Sequence, residues 1–316
     1  MQKEAINNRG HVQMRRGNRI KRELGLNYEL YVMFIPVVLF YLIFCYKPMY
    51  GLIMSFQDFK PSQGIIGSEW VGFKHFKTFF GSFYFGRLIK NTLTISISSI
   101  VFVFPAPIIL ALLLNELRST KFKRVVQTVS YLPHFISMVV ICGMIKQFTL
   151  EAGIINDIIA LFGGERVNML NTPSYFVPIY VISDVWTQVG WGSIIYLAAL
   201  SGISPELYEA AGLEGAGRFQ QMWYVTIPGI LPTIVILFVL RMGGVLSVGY
   251  EKIILLYNAM TMSTADVISS YVYRKGLLEQ SWSFSVAVSL FNSVINMTFL
   301  VLTNMFSKRL TENSLW

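Results

Sequence analysis

Charge is scarce in this 316-residue chain: Asp, Glu, Lys and Arg together make up 14% of it, against about a quarter in an ordinary soluble domain. That deficit excludes a fold whose whole surface meets water. Cysteine is scarcer still, with Cys45 and Cys142 both inside apolar runs. The disulfide framework of a small secreted domain is therefore excluded, and both thiols read as small hydrophobes. Residues 1–27 contain no apolar stretch of the kind a secretory signal needs, so no cleaved leader is expected. There is no G-x-x-x-x-G-K-[ST] loop to cradle a nucleotide, and no H-E-x-x-H, C-x-x-C or G-x-S-x-G pattern. The histidines His11, His75 and His134 are scattered over a tail, a loop and a helix. They read as surface or packing residues, so neither a metal site nor a hydrolase centre is expected. Internal repeats are absent too, which weighs against the paired halves of many secondary carriers.

What is present is apolar: 54% of the residues are hydrophobic and the mean hydropathy is +0.54. A spanning helix needs about 20 mostly apolar residues, and segments near 30–54, 88–114, 125–148, 175–200, 225–249 and 284–306 qualify. An all-α integral membrane bundle of six spans is predicted. Pro36, Pro105, Pro107, Pro178, Pro232 and the Gly243-Gly244 pair should bend these helices. The net charge of +9 records topology and marks no nucleic-acid face, because the bases sit at segment ends. Fourteen lysines and arginines fall on the side of the two termini and of the 115–124 and 201–224 loops, and eight fall on the other side. The positive-inside rule places both termini in the cytoplasm. The expected organisation is a basic cytoplasmic tail over 1–28, a transmembrane domain over 29–306 and a cytoplasmic tail over 307–316. Three long connections then face outward (55–87, 149–174 and 250–283), as they would if something docked there. The aromatics of the first (Phe56, Phe59, Trp70, Phe73, Phe76, Phe79 and Phe80) read as an interfacial belt.

The most informative stretch is the cytoplasmic loop 201–228. Ser204 can cap a helix, Pro205 fits its first turn and Glu206 complements its positive end. A short helix should run through Ala211. Gly212, Gly215 and Gly217 should then interrupt it before a polar helix over Arg218–Trp223, and Pro228 marks entry into the next span. Two short helices at an angle make a knob, on which small Ala210 and Ala211 allow close approach and Glu209 supplies a charge. The series Glu209-Ala210-Ala211, three residues, Gly215, nine residues, Val225-Thr226-Ile227-Pro228 resembles the EAA motif of permease subunits in binding-protein-dependent ABC importers. Val225 and Ile227 stand where that family usually has Ile and Leu. Glu214 takes a position that is commonly Asp. Residues 46–61, 131–137, 190–200 and 266–273 resemble the polysaccharide and oligosaccharide branch of the maltose-type sugar permeases.

The resemblance implies a type I importer permease in a bacterial cytoplasmic membrane. It would work with a second, related permease, two ATPase subunits that bind ATP and Mg, and an extracellular solute-binding protein. On that reading the chain holds no cofactor and catalyses nothing. Glu209, Ala210, Ala211, Glu214 and Gly215 would couple it to the ATPase. A stand-alone ion-coupled sugar carrier and a membrane enzyme acting on lipid-linked sugars are the alternatives, and neither accounts for the knob.

Polar groups inside spans are costly and point to function by default. Asp184, Gln188 and Trp191 in the fourth segment, Arg241 in the fifth and Asn292 and Asn296 in the sixth are the candidates for a substrate pathway. Aromatic platforms beside amides and carboxylates suit the C–H faces and hydroxyl edges of sugars. Each candidate also has a structural reading as a belt residue or a tie between helices. Arg241 needs an anion: Asp184 or Glu251 could pair with it, which is the simpler account, or it could face a cavity and favour acidic sugars such as uronate oligomers.

Overall fold

The computed structural model describes residues 27–311 and 314–316, so all but the last two residues of the predicted basic tail lie outside it. It divides into two units, one ending at Ile53 and the other spanning Met54–Trp316. The first unit carries most of helix α1 (Tyr28–Phe56), which begins as α-helix, widens to a π turn over Tyr41–Tyr46 and tightens to 3-10 over Tyr50–Phe56.

In the second unit a two-residue antiparallel pair, β1 (Gln57–Asp58) with β2 (Glu69–Trp70), departs from the all-helical expectation. Helix α2 (Lys74–Phe80) follows, then α3 (Phe85–Glu116), α4 (Thr120–Phe135) and α5 (Met138–Phe148). Next come α6 (Ile154–Leu161), α7 (Pro173–Ser201) and α8 (Pro205–Leu213). The last are α9 (Arg218–Met242), α10 (Tyr250–Leu256), α11 (Ile268–Tyr273) and α12 (Trp282–Thr311). By length and composition α1, α3, α9 and α12 can each cross a bilayer, and α4 with α5 makes a fifth, bent candidate. Helix α7 has 29 residues, about 43 Å at 1.5 Å per residue. Asp184 and Gln188 lower its hydropathy, and they are the residues that make it interesting.

Two predicted segments need correction. The third is not one helix: α4 and α5 meet at 101°. Pro133 tightens the last turn of α4, Ile136 is extended, and Ser137 restarts the chain by accepting from the Val140 N–H at 3.4 Å. The fifth starts earlier and ends earlier than 225–249, because α9 is continuous from Arg218 and stops at Met242, before the glycine pair.

Prolines shape three of the long helices in one way. The π turns Tyr41–Tyr46, Ser99–Val103 and Met222–Thr226 each end two residues before a proline, at Pro48, Pro105 and Pro228. A proline ring clashes with the carbonyl four residues back. The ladder accommodates this by slipping one residue, as where the Phe104 N–H reaches the Ser99 carbonyl at 3.0 Å.

Helix α7 packs along α3 and against α4. Its approach to α4 depends on Gly190: a Cβ there would lie 2.0 Å from the Ser130 carbonyl oxygen, so only glycine fits. Buried Ile95, Ile141, Phe176, Tyr180 and Ile253 join α3, α5, α7 and α10 in one apolar cluster. A second cluster gathers Phe79, Leu88, Tyr271 and Val288 from α2, α3, α11 and α12. The aromatics of the 55–87 connection are therefore not a uniform belt. Phe79 is buried and packs edge-on against Phe85 and Phe291, and Phe56 stacks on Trp70 at 5.8 Å. Cys142 sits in the first cluster as a small hydrophobe, and both cysteines are free. In the segment between α5 and α7, buried Asn156 clamps the chain, donating to the Leu150 and Val167 carbonyls at 2.6 and 2.8 Å and accepting from the Val167 N–H at 3.1 Å.

Candidate functional site: a charged cavity and an exposed knob

A cavity of about 630 Å³ opens between α3, α7 and α9 and the segment that follows α9. Residues four apart on a helix share a face, so Asp184, Gln188 and Gly192 of α7 line it together. Ser96 and Ser99 come from α3, and Arg241 closes one side from the last turn of α9. Hydroxyls, an amide and aliphatic side chains thus surround two charged groups of opposite sign, Asp184 and Arg241. They do not pair with each other. Asp184 Oδ1 accepts from Lys252 Nζ at 2.5 Å. The same ammonium donates to the Tyr180 carbonyl at 3.0 Å and lies 4.4 Å from the centre of the Tyr180 ring. Arg241 is exposed to the cavity and has no ion pair or hydrogen bond among the described residues. Of the two accounts open for it, the facing of a cavity is the one observed.

The other pathway candidates lie elsewhere. Trp191 stacks on His134 with ring centres 4.5 Å apart and an interplanar angle of 3°, fastening α7 to the end of α4. Asn296 is buried; it accepts from the Leu246 N–H at 2.9 Å and donates to Ser247 Oγ at 2.8 Å, tying α12 to the segment after α9. Asn292 lines a separate cleft of about 500 Å³ with Tyr250, Tyr273 and Trp282, and its Oδ1 is buried without a partner. Lys252 is the residue that sequence reasoning missed. It counted as one more outer-loop base, although a mid-span Asp184 calls for a cation and Lys252 stands in an otherwise apolar run, Ile253-Ile254-Leu255-Leu256.

The knob is built from the 201–228 loop. Ser204 caps α8, its Oγ accepting from the Glu206 N–H at 3.3 Å. The helix runs to Leu213, past Gly212, two residues beyond the expected end. Gly215 then turns the chain with φ +81°, and the Ala216 N–H closes on the Ala211 carbonyl at 2.9 Å. Gln220 Oε1 accepts from the Gly217 N–H at 2.8 Å and Gln221 Nε2 donates to the Ala216 carbonyl at 3.0 Å. The expected second helix is not a separate piece: Arg218 begins α9 itself. Tyr208 and Thr226 hydroxyls, 3.1 Å apart, bind α8 to α9. Glu209, Ala210, Glu214 and Gly215 are exposed and Ala211 is half-buried. Leu213 and Phe219 are 90% and 83% exposed, an apolar tip flanking the charges.

A Cβ at Gly215 would meet nothing within 4 Å, so Gly215→Ala should cost only the left-handed backbone, about 1–2 kcal/mol. Faster hydrogen exchange of the 215–217 amides, with the melting of the spans unchanged, is the expected outcome.

Residues 103–312 match the model of the family described as binding-protein-dependent transport system inner membrane component. The chain is 42% identical over 288 residues to the polygalacturonan/rhamnogalacturonan transport system permease protein YteP of Bacillus subtilis, covering 91% of this chain and 90% of that one. It is likewise 42% identical over 288 residues to the LplB protein of the same organism, covering 91% of each. Among solved structures it resembles a chain of a bacterial ABC transporter involved in the import of the acidic polysaccharide alginate, at 44% identity and a TM-score of 0.85, over 93% of this chain and 99% of that one. A chain of a bacterial alginate ABC transporter in complex with an alginate pentasaccharide-bound periplasmic protein matches at 42% identity and a TM-score of 0.86, over 94% of this chain and all of that one. The EAA-like knob, the polar-lined cavity and these matches agree: the chain belongs to the family of inner-membrane permease components of binding-protein-dependent ABC importers.

Proposed function

We propose that this chain is one of two related permease subunits of an ATP-driven importer that moves acidic oligosaccharides, fragments of uronate-rich polysaccharides, into the cell. The observation that carries the substrate class is Arg241, a cation on the cavity wall with no ion pair among the described residues. A charge within a span normally pairs with another charge or faces a water-filled cavity, and a carboxylate on each passing sugar residue supplies the anion that Arg241 lacks. Serine hydroxyls, Gln188 and aliphatic side chains of the same wall suit the rest of a saccharide. That two relatives are a polygalacturonan/rhamnogalacturonan permease and an alginate importer supports the same class. Membership of the permease family displaces both the stand-alone carrier and the lipid-linked-sugar enzyme.

The loaded binding protein docks on the outer segments, where Ile66, in the connection between β1 and β2, and Trp70, at the end of β2, are 93% and 64% exposed. ATP and Mg are held by the partner ATPase pair. Closure of that pair pulls on the knob through Glu209, Ala210, Ala211, Glu214 and Gly215 and opens the cavity outward. Both termini are cytoplasmic, in keeping with the excess of bases on that side.

Arg241→Gln removes the cation and keeps most of the side-chain volume. A hydrogen bond to a charged group contributes about 1.5–3 kcal/mol, so uptake of an oligogalacturonate by the reconstituted complex should fall at least about tenfold, with basal ATPase activity retained. Unchanged uptake would remove Arg241 from the pathway.

A further inference from the structure

An anion drawn to Arg241 meets a second charge on the same wall, because Asp184 lines that cavity too. Left ionised and unpaired, Asp184 would repel the carboxylates that Arg241 attracts, and in a poorly hydrated cavity that repulsion is several times stronger than in water. It would also compete with the substrate for Arg241 itself. The structure shows neither outcome, because Asp184 is engaged elsewhere. Lys252 Nζ lies 2.5 Å from its Oδ1, and the side chains of Lys252 and Asp184 are 3% and 20% exposed. The ammonium reaches that position on α10, backed by buried Ile253 and Leu256, and is held there by the Tyr180 carbonyl and ring. The cation thus sits behind the cavity wall and the anion at its surface.

We propose that Lys252 determines the charge specificity of the cavity: by holding Asp184 in an ion pair it cancels the negative wall and leaves Arg241 as the unopposed charge that selects an anionic saccharide. This rests on the reading of the cavity as the passage for a uronate oligomer. Lys252 touches no substrate and acts through Asp184, as a positioning and charge-compensating residue. A plain tie between α10 and α7 would use the same contacts, and the two roles differ in symmetry. For a tie, removing either partner breaks the same link between α10 and α7, so both single variants lose function alike. For charge compensation, removing the cation uncovers the repulsive carboxylate, whereas removing the carboxylate does the substrate no harm.

The complete complex, with its partner permease, ATPase pair and binding protein, is reconstituted in vesicles and uptake of a labelled oligogalacturonate is measured per assembled complex. Lys252→Met should lower uptake at least about tenfold, the size expected when a charged contact is lost. Asp184→Asn should stay within about twofold of the unsubstituted complex, and Lys252→Met/Asp184→Asn should recover to within about threefold. Equal losses in the two single variants, or full uptake in Lys252→Met, overturn the proposal. If Lys252→Met does not assemble, the double variant carries the test, since it leaves neither charge buried: recovered uptake supports the proposal and lost uptake overturns it. Loss of uptake in Arg241→Gln, with Lys252→Met and Asp184→Asn alike, overturns the role of Lys252 and leaves the reading of the cavity intact. Full uptake in Arg241→Gln overturns that reading whatever Lys252 does.

Discussion

Reversing the charge on the knob, Glu209→Lys, is expected to lower sugar uptake at least about a hundredfold while the ATPase pair, no longer tied to the bundle, still hydrolyses ATP. Glu209 is exposed and makes no ion pair or hydrogen bond among the described residues. Its substitution therefore takes nothing from the fold of this chain, and the loss must come from a partner. Truncating one member of a buried, hydrogen-bonded charge pair at an interface costs about 2–5 kcal/mol. Each 1.4 kcal/mol is tenfold, and reversal adds like-charge repulsion to that loss. Leu213 and Phe219 beside it are exposed and offer that contact an apolar surface. Uptake and ATP hydrolysis measured together on the reconstituted complex separate the outcomes. Normal coupled transport in Glu209→Lys would take the knob out of the coupling path.

The second large effect is structural. Asp266 is fully buried, and its carboxylate accepts from Arg274 through both oxygens at 2.8 and 2.7 Å and from Ser270 Oγ at 2.8 Å. Arg87 approaches to 3.8 Å, and the Asp266 carbonyl accepts from Asn91 Nδ2 at 3.0 Å. These contacts fasten the start of α3 to α11. Burial works against the Arg274 charge, but the hydrogen bonds and charge of Asp266, with Tyr257, outweigh it and raise its pKa above the ordinary guanidinium value. Asp266→Ala leaves two guanidinium groups without their anion, and breaking a buried pair this way costs about 3–5 kcal/mol. The purified complex should show a clear drop in melting temperature, with the 85–92 and 266–274 amides losing exchange protection first. A melting temperature unchanged by Asp266→Ala would mean that the cluster carries no stability.

Hydropathy made most of this architecture legible, because apolar runs long enough to span are local properties of a sequence. The knob was legible for a similar reason: Ser204, Pro205 and Gly215 each answer a local backbone demand. The break at Ile136 was not, since both halves of 125–148 are apolar enough to pass as one helix and only the tight turn at Pro133 and the restart at Ser137 separate them. Site candidates divided the same way. Asp184, Gln188 and Arg241 stand out in the sequence as polar residues in spans, and the fold brings them to one cavity. Which of them face one cavity depends on helix rotation and packing, so Trp191 and Asn296 passed the same test and turned out to hold helices together. Lys252 was invisible because its partner lies 68 positions away in sequence.

The continuity of α9 has a mechanical consequence. Arg218, in the knob, and Arg241, on the cavity wall, belong to one unbroken helix, about 35 Å apart at 1.5 Å per residue. Such a rod acts as a lever: a tilt of about 5° at the knob displaces the far end by about 3 Å, roughly the length of one hydrogen bond. Free-energy linkage requires the reverse as well. If the cavity holds its sugar better at one tilt, a sugar in place favours that tilt at the knob, and the ATPase groove meets a differently inclined partner when the cavity is full than when it is empty.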